Sequence, residues 1–162
     1  MVELQDNSMA KLEIEDFQAF KALVGKPLPE GDWLKITQEM INDFAKATGD
    51  HQWIHVDVEK ATKHSPFKKP VAHGFMSISM LSKLLEDLIS VKSVKMGVNY
   101  GLNKVRFPSP VLVDSRLRLV GNIANIEAYG DTGLKVTWNC TVEIEGSEKP
   151  ACVAEFISLM FS

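Results

Sequence analysis

The spacing of apolar residues changes character along the chain. In the first half it follows helical periods. Phe17, Phe20, Leu23 and Val24 recur at helical spacing and predict a short helix over 15–24, stopped by Gly25 and Pro27. LPEGDWLKI, which follows, reads as a turn and a short strand. A better marked helix starts at Thr37, a hydroxyl suited to the N-cap. Glu39 lies in its first turn, Ile36 and Ile41 are placed as a hydrophobic staple, and Gly49 is its stop. Its expected buried stripe is Met40, Ile41, Phe44 and Ala47. Residues 50–70 are a polar excursion. AHGFMSISMLSKLLEDLIS then begins a third helix, apolar on most of its circumference and therefore expected to be buried.

From Val94 the period becomes two. Val94, Met96, Val98 and Tyr100 share one face of a strand, and Leu117 and Leu119 alternate with Arg116 and Arg118. Leu134, Val136, Trp138, Cys140, Val142 and Ile144 alternate with Lys135, Thr137, Asn139, Thr141 and Glu143, the pattern of a half-buried strand. AYGDTG and EGSEKP are turns between long strands. ACVAEFISLMF is apolar on both faces and is expected to be central or covered by a partner. A buried helix followed by long antiparallel strands predicts an α+β domain with a sheet wrapped around that helix. The expected organisation is a flexible segment over 1–14 and one domain over 15–162.

Composition adds exclusions. The chain has 162 residues, 45% hydrophobic and 24% charged, with a formal net charge of -3. That is average for a globular protein and gives no general pull toward nucleic acid. No apolar stretch has the length of a membrane span. The polar, acidic start MVELQDNSMAKLEIEDF does not read as a signal peptide, so a cytoplasmic location is expected. Cys140 and Cys152 lie in strand-like runs, have no metal spacing, and are expected to be buried and inert. There is no GxxxxGK[ST], GxGxxG or GxSxG.

Two groups carry candidate chemistry. TGDHQWIHVD, residues 48–57, puts Asp50, His51, His55 and Asp57 in a turn behind an anchored helix. A carboxylate and an imidazole are the usual pair for moving a proton near neutral pH. Five residues span at most about 17 Å when extended, and a turn brings both side chains onto one small molecule. Capping and solubility account equally for Asp and His at such a turn. His51 and Asp57 are expected to face solvent, with Trp53 and Ile54 pinning the turn to the core. The second group, PVAHGFMSISMLS over 70–82, sets His73 and Gly74 at the N-terminal end of the buried helix. Free N–H groups there suit a developing oxyanion, although ordinary packing also uses a small residue at that point. Ser82 lies two turns further in, either bonded back to its own helix or orienting a polar group. Lys63, His64, Lys68 and Lys69 form a basic stretch that suits either a solvated loop or a nucleotide phosphate.

In this order and spacing, the two groups resemble the MaoC-like hydratase family, whose motif runs Asp, four residues, His, and later HG. Asp50 and His55 match its aspartate and histidine, Val71 to Gly74 match the start of the central helix, and Ser82 falls where the (R)-hydratases carry a serine. The usual Asn-Pro within the motif is replaced by Gln52 and Trp53. GDHQWIHVD and NYGLNKVRFPSPV resemble the nodulation-protein-N-like branch. The resemblance implies the hot-dog fold, homodimers with sites at or near the interface, and (R)-specific hydration of trans-2-enoyl thioesters or the reverse dehydration. The substrate would be carried on CoA or acyl carrier protein. It further implies Asp50 and His55 as catalytic residues, the Gly74 N–H for the thioester oxygen, support from Ser82 and His73, and no metal or other cofactor. A hot-dog thioesterase and a non-catalytic acyl-thioester-binding protein are the alternatives.

Overall fold

The computed structural model describes residues 10–162. Five strands form one antiparallel sheet: β2 (Leu34–Lys35), β5 (Arg116–Tyr129), β6 (Gly133–Ile144), β7 (Cys152–Phe161) and β4 (Met96–Arg106), in that spatial order. β6 is the regular strand its alternation predicts, with Leu134, Val136, Trp138, Cys140 and Val142 all buried. Trp138 donates its indole N–H to Ser158 Oγ at 2.9 Å, so the one polar atom of that large buried ring is satisfied. Cys140 and Cys152 are buried free thiols, and burial pushes them up to about 12 and about 11. They are inert at neutral pH.

On the concave face lies the expected helix, observed as two segments, α5 (Gly74–Ser79) and α6 (Leu81–Leu88). Met80 interrupts it only mildly, because the N–H groups of Met80 and Leu84 still reach Met76 O and Met80 O. Leu81, Leu84, Leu85 and Leu88 are buried in one cluster with Leu119, Ile123, Val136, Trp138 and Phe156 of the sheet. Each contributes about 1.5–3 kcal/mol. The helix ends at Leu88, earlier than its apolar run suggested. Ile89–Val91 form strand β3, where two β-branched residues and pairing to another strand override the helical pattern.

That partner corrects the expected flexible segment over 1–14. Residues 1–9 lie outside the described part, but β1 (Leu12–Ile14) pairs in parallel with β3 and buries Ile14. Lys11, beside it, is tied to Asp32 at 2.8 Å and Glu30 O at 2.7 Å. Helix α1 is shorter than predicted, Phe17–Lys21, because Asp16 caps it by accepting from Ala19 N. Helix α2 (Gln38–Thr48) has the predicted ends: Thr37 accepts from Met40 N, and Gly49 takes φ +81°. Its buried positions are Ile41 and Ala45, with Ala47 exposed, since the face turned inward is set by an i, i+4 pair.

One further correction concerns a segment without a strong pattern. The polar excursion contains helices α3 (Trp53–Val56) and α4 (Val58–His64), the second capped by Asp57. β4 is the strand its alternation predicts, and its Met96, Val98 and Tyr100 face is exposed, because β4 is the sheet edge and no described element covers it.

Candidate active site

Gly49 turns the chain sharply after α2, a conformation glycine adopts without strain. Asp50 follows, and its Oδ1 accepts from Gln52 N at 3.3 Å, closing a local turn that leads into α3. His55 lies on that one-turn helix. Its backbone is held by Gln38, which donates from Nε2 to His55 O at 2.8 Å, so α2 fixes the placement of α3. Asp50 is half exposed, whereas His55 and His73 are 7% and 3% exposed. Carboxylate and imidazole atoms of Asp50, His55 and His73 lie within 4.8 Å of one another. The predicted solvent-facing residues, His51 and Asp57, are exposed, and Trp53 and Ile54 are half-buried.

The hydrogen bonds set which ring nitrogens are free. His55 Nδ1 lies 2.6 Å from Val71 O. A carbonyl only accepts, so the proton sits on Nδ1 and Nε2 keeps a lone pair. His73 donates from Nε2 to Asp50 O at 2.9 Å, and its buried Nδ1 has no partner among the described residues. The two imidazoles stack, with ring centroids 3.8 Å apart. Burial foremost, and the neighbouring His73, pull the His55 pKa below its ordinary value, against the Val71 carbonyl bond and the Asp50 carboxylate. His55 is therefore a neutral base at physiological pH. A water bonded at about 2.8 Å to two groups spans roughly 4.6 Å between them, inside the 4.8 Å that encloses the ligand atoms of Asp50, His55 and His73.

Next to His73 the chain enters α5. The His73 side chain makes no cap, and Met76 N turns back to His73 O, which leaves the Gly74 N–H without a backbone acceptor among the described residues. A side chain at Gly74 would lie 3.1 Å from the Phe107 ring, so glycine keeps this approach open. Ser82 is eight residues on, about 12 Å along the helix. It donates to Asn99 Oδ1 at 2.9 Å and lines a cavity of about 330 Å³ with Leu85, Ile89, Trp138, Phe156 and Met160. Neither Asp50 nor His55 lines that cavity, and neither is hydrogen-bonded to Ser82. The structure thus gathers Asp50, His55, His73 and Gly74 and sets Ser82 apart. Gln38 and Val71, which orient His55, carry no sequence signal for that task.

A carboxylate and two imidazoles at this spacing could hold a divalent cation, and with one nitrogen of each ring already bonded they equally form a proton-transfer site. The comparisons bear on which it is. The family model described as "MaoC like domain" matches residues 19–143. The chain belongs to the MaoC-like family. It is 52% identical over 136 residues to 3-hydroxyacyl-thioester dehydratase Z of Mycobacterium tuberculosis, covering 84% of this chain and 89% of that protein. It is 39% identical over 138 residues to Nodulation protein N of Rhizobium leguminosarum bv. viciae, covering 85% and 86%. Among solved structures it resembles the (R)-hydratase from A. caviae involved in PHA biosynthesis, with TM-score 0.66, 20% identity, and coverage of 83% and 94%. The MaoC-like dehydratase from Rhodospirillum rubrum gives TM-score 0.68 at 19% identity, covering 85% and 92%. The MaoC-like chain therefore has the hot-dog fold.

Proposed function

We propose that this MaoC-like protein hydrates trans-2-enoyl thioesters to (R)-3-hydroxyacyl thioesters and catalyses the reverse dehydration. One observation carries the reading. A carboxylate oxygen of Asp50 and a ring nitrogen of His55 stand within 4.8 Å of each other, the Val71 bond leaves His55 Nε2 free, and His73, which bonds Asp50 O, directly precedes an uncapped helix start at Gly74.

In hydration, a water held by Asp50 and His55 gives one proton to His55 Nε2 as its oxygen bonds to C3 of the enoyl group. The C2=C3 electrons shift toward the thioester oxygen, where the Gly74 N–H stabilises the developing charge. C2 then takes a proton back from the Asp50–His55 pair, so one water is added and the site is restored. Acid–base transfer of this kind contributes about 10²–10⁴ in rate. His73 holds the Asp50 backbone and stacks on His55, which keeps the pair aligned. The cavity beside Ser82, at the small end of ligand-pocket sizes, is the seat for the far end of an acyl chain long enough to reach it.

The protein works as a homodimer joined through β4. An eleven-residue edge strand carrying exposed Met96, Val98, Tyr100 and Leu102 is the kind of edge that soluble proteins cover. A second copy placed about a two-fold axis supplies an identical edge.

Purified protein with crotonyl-CoA tests the activity. Loss of the conjugated absorbance, an (R)-3-hydroxy product, no free thiol, and abolition by Asp50→Asn and by His55→Gln are the expected results. Free thiol release would instead mean attack at the thioester carbonyl. No turnover of short or longer enoyl-CoA would overturn the enzyme reading in favour of binding alone.

A further inference from the structure

Between Asp57 and Lys69 there are four lysines against two carboxylates, in a chain whose net charge is -3. Lys63 pairs with Glu59 at 2.6 Å, Lys60 lies over the Trp53 ring, and Lys68 Nζ makes only a long bond to Lys63 O at 3.4 Å. Lys68 and Lys69 are exposed and have no carboxylate partner among the described residues. Their turn is nevertheless fixed. Ser65 is fully buried and its Oγ accepts from Phe67 N, Lys68 N donates to Ser65 O at 3.1 Å, and Pro70 is buried. Lys68 takes φ +58°, which is costly for a lysine and is maintained by these contacts. Phe67 beside it leaves its ring 38% exposed.

The connection from this turn to the site is extended and rigid. Val71 forms a bridge to Leu112, Ala72 N donates to Val111 O at 2.8 Å, Val113 N to Pro70 O at 2.9 Å, and Val71 N to Ile54 O at 3.0 Å. Gly74 is five residues from Lys69, so the lysine stands at most about 17 Å from the glycine. A pantetheine arm has about thirteen bonds from sulfur to its phosphorus, the reach of roughly four extended residues, or about 15 Å. The phosphates of a thioester seated at Gly74 can therefore reach Lys68 and Lys69.

The geometry points to Lys68 and Lys69 as a docking site for the nucleotide phosphates of a coenzyme A thioester, with Phe67 available to the adenine ring. The assignment rests on the hydratase reading of the Asp50–His55 site and names the carrier on which its substrate arrives. Lysine ammonium groups serve as point charges for phosphate without fixed geometry, which suits a carrier whose reacting end is positioned elsewhere.

The test compares crotonyl-CoA, crotonyl-pantetheine (the same acyl group without phosphates) and crotonyl-loaded acyl carrier protein. The wild type is set beside Lys68→Asn with Lys69→Gln, asparagine being chosen because it tolerates a positive φ. Lys149→Gln, on a distant turn, is the control. The double variant is expected to raise KM for crotonyl-CoA about threefold to tenfold at low salt, as two exposed ion pairs allow. Its kcat and its use of crotonyl-pantetheine should be unchanged, and the difference should shrink as salt rises. Equal changes for both small substrates, or none for crotonyl-CoA, would overturn the site. A KM rise confined to the carrier protein would overturn the nucleotide assignment and indicate an acidic protein surface. Calorimetry with adenosine 3′,5′-bisphosphate reads the same site without turnover. Weaker binding by the double variant supports it and equal binding refutes it, even if the wild type hydrates nothing.

Discussion

Replacing Gly74 by alanine separates folding from catalysis. The position has no positive φ, so the backbone accepts a side chain, and the nearest atoms the added methyl meets belong to the Phe107 ring, at 3.1–3.3 Å. That ring is 41% exposed and can tilt outward. Alanine also favours the first helical turn by about 0.5–1 kcal/mol over glycine, which offsets much of the cost of moving the ring. The net change should stay within about 1 kcal/mol, a shift in Tm of about 2–4 °C for a chain of this size. The rate should respond far more. If the thioester oxygen must reach the Gly74 N–H, crowding that approach removes one oxyanion donor, worth about 2.7–4 kcal/mol or 10²–10³ in kcat. Thermal melts and crotonyl-CoA kinetics on the same sample give both numbers. Gly74→Ala combined with Phe107→Ala clears the ring and should remain slow. A folded Gly74→Ala with wild-type kcat/KM would refute the role of this N–H. Recovery of rate in the double variant would assign the loss to displacement of Phe107 instead.

Asp50→Asn and His55→Gln should each lower kcat/KM by at least about a hundredfold, with far-ultraviolet circular dichroism unchanged for Asp50→Asn because that side chain is half exposed. The lowered pKa of His55 puts the acid limb of the pH profile of kcat/KM below 6.5, and a limb above 6.5 would contradict the burial of this ring. The sign for stability follows. The folded state disfavours the charged ring, so the unfolded chain binds the proton first, and stability is lost as pH falls from 6.5 through the lower folded value. Chemical denaturation across that range, with His55→Gln lacking the effect, checks it. Gly121→Ala would place a methyl 2.0 Å from Asn139 O, across the β5–β6 ladder, and should cost about 1–3 kcal/mol or more and lower Tm accordingly. Val98→Lys with Leu102→Lys should turn a dimer into monomers by light scattering, whereas an unchanged mass would place the interface elsewhere.

The elements that could be read from the sequence are those whose cause is local. Thr37 and Gly49 bound α2 through bonds to residues three or four positions away, and any sequence that supplies them fixes the ends. The strict alternation of β6 likewise needs only its own pleat and one buried face. The misread elements depend on partners distant in the chain. For Met96, Val98 and Tyr100 the alternation gives the strand, but it specifies two faces and not which of them a neighbour covers. Ile89 left the helical pattern because Leu12 stands beside it, 77 positions earlier. Helices α3 and α4, of four and seven residues, are too short to show a period.

The site divides along the same line. Asp50 and His55 are five residues apart on one turn, so their nearness is a local property. Their capacity to act as a pair is not. It depends on Val71 O selecting the proton-bearing nitrogen of His55, on Gln38 holding the backbone of α3, and on His73 reaching back 23 positions to Asp50 O. Two of these three use main-chain acceptors in the turn and the third uses one in an extended segment, so side-chain identity at the accepting residue leaves almost no mark. The replacement of Asn-Pro by Gln52 and Trp53 is tolerable for this reason. Gln52 N still donates to Asp50 Oδ1, Gln52 O still accepts from His55 N at 3.0 Å, and the contacts that aim His55 come from outside the altered dipeptide. Substitution within the motif can therefore leave the Asp50–His55 arrangement in place, because Val71, Gln38 and His73 hold it from outside the dipeptide.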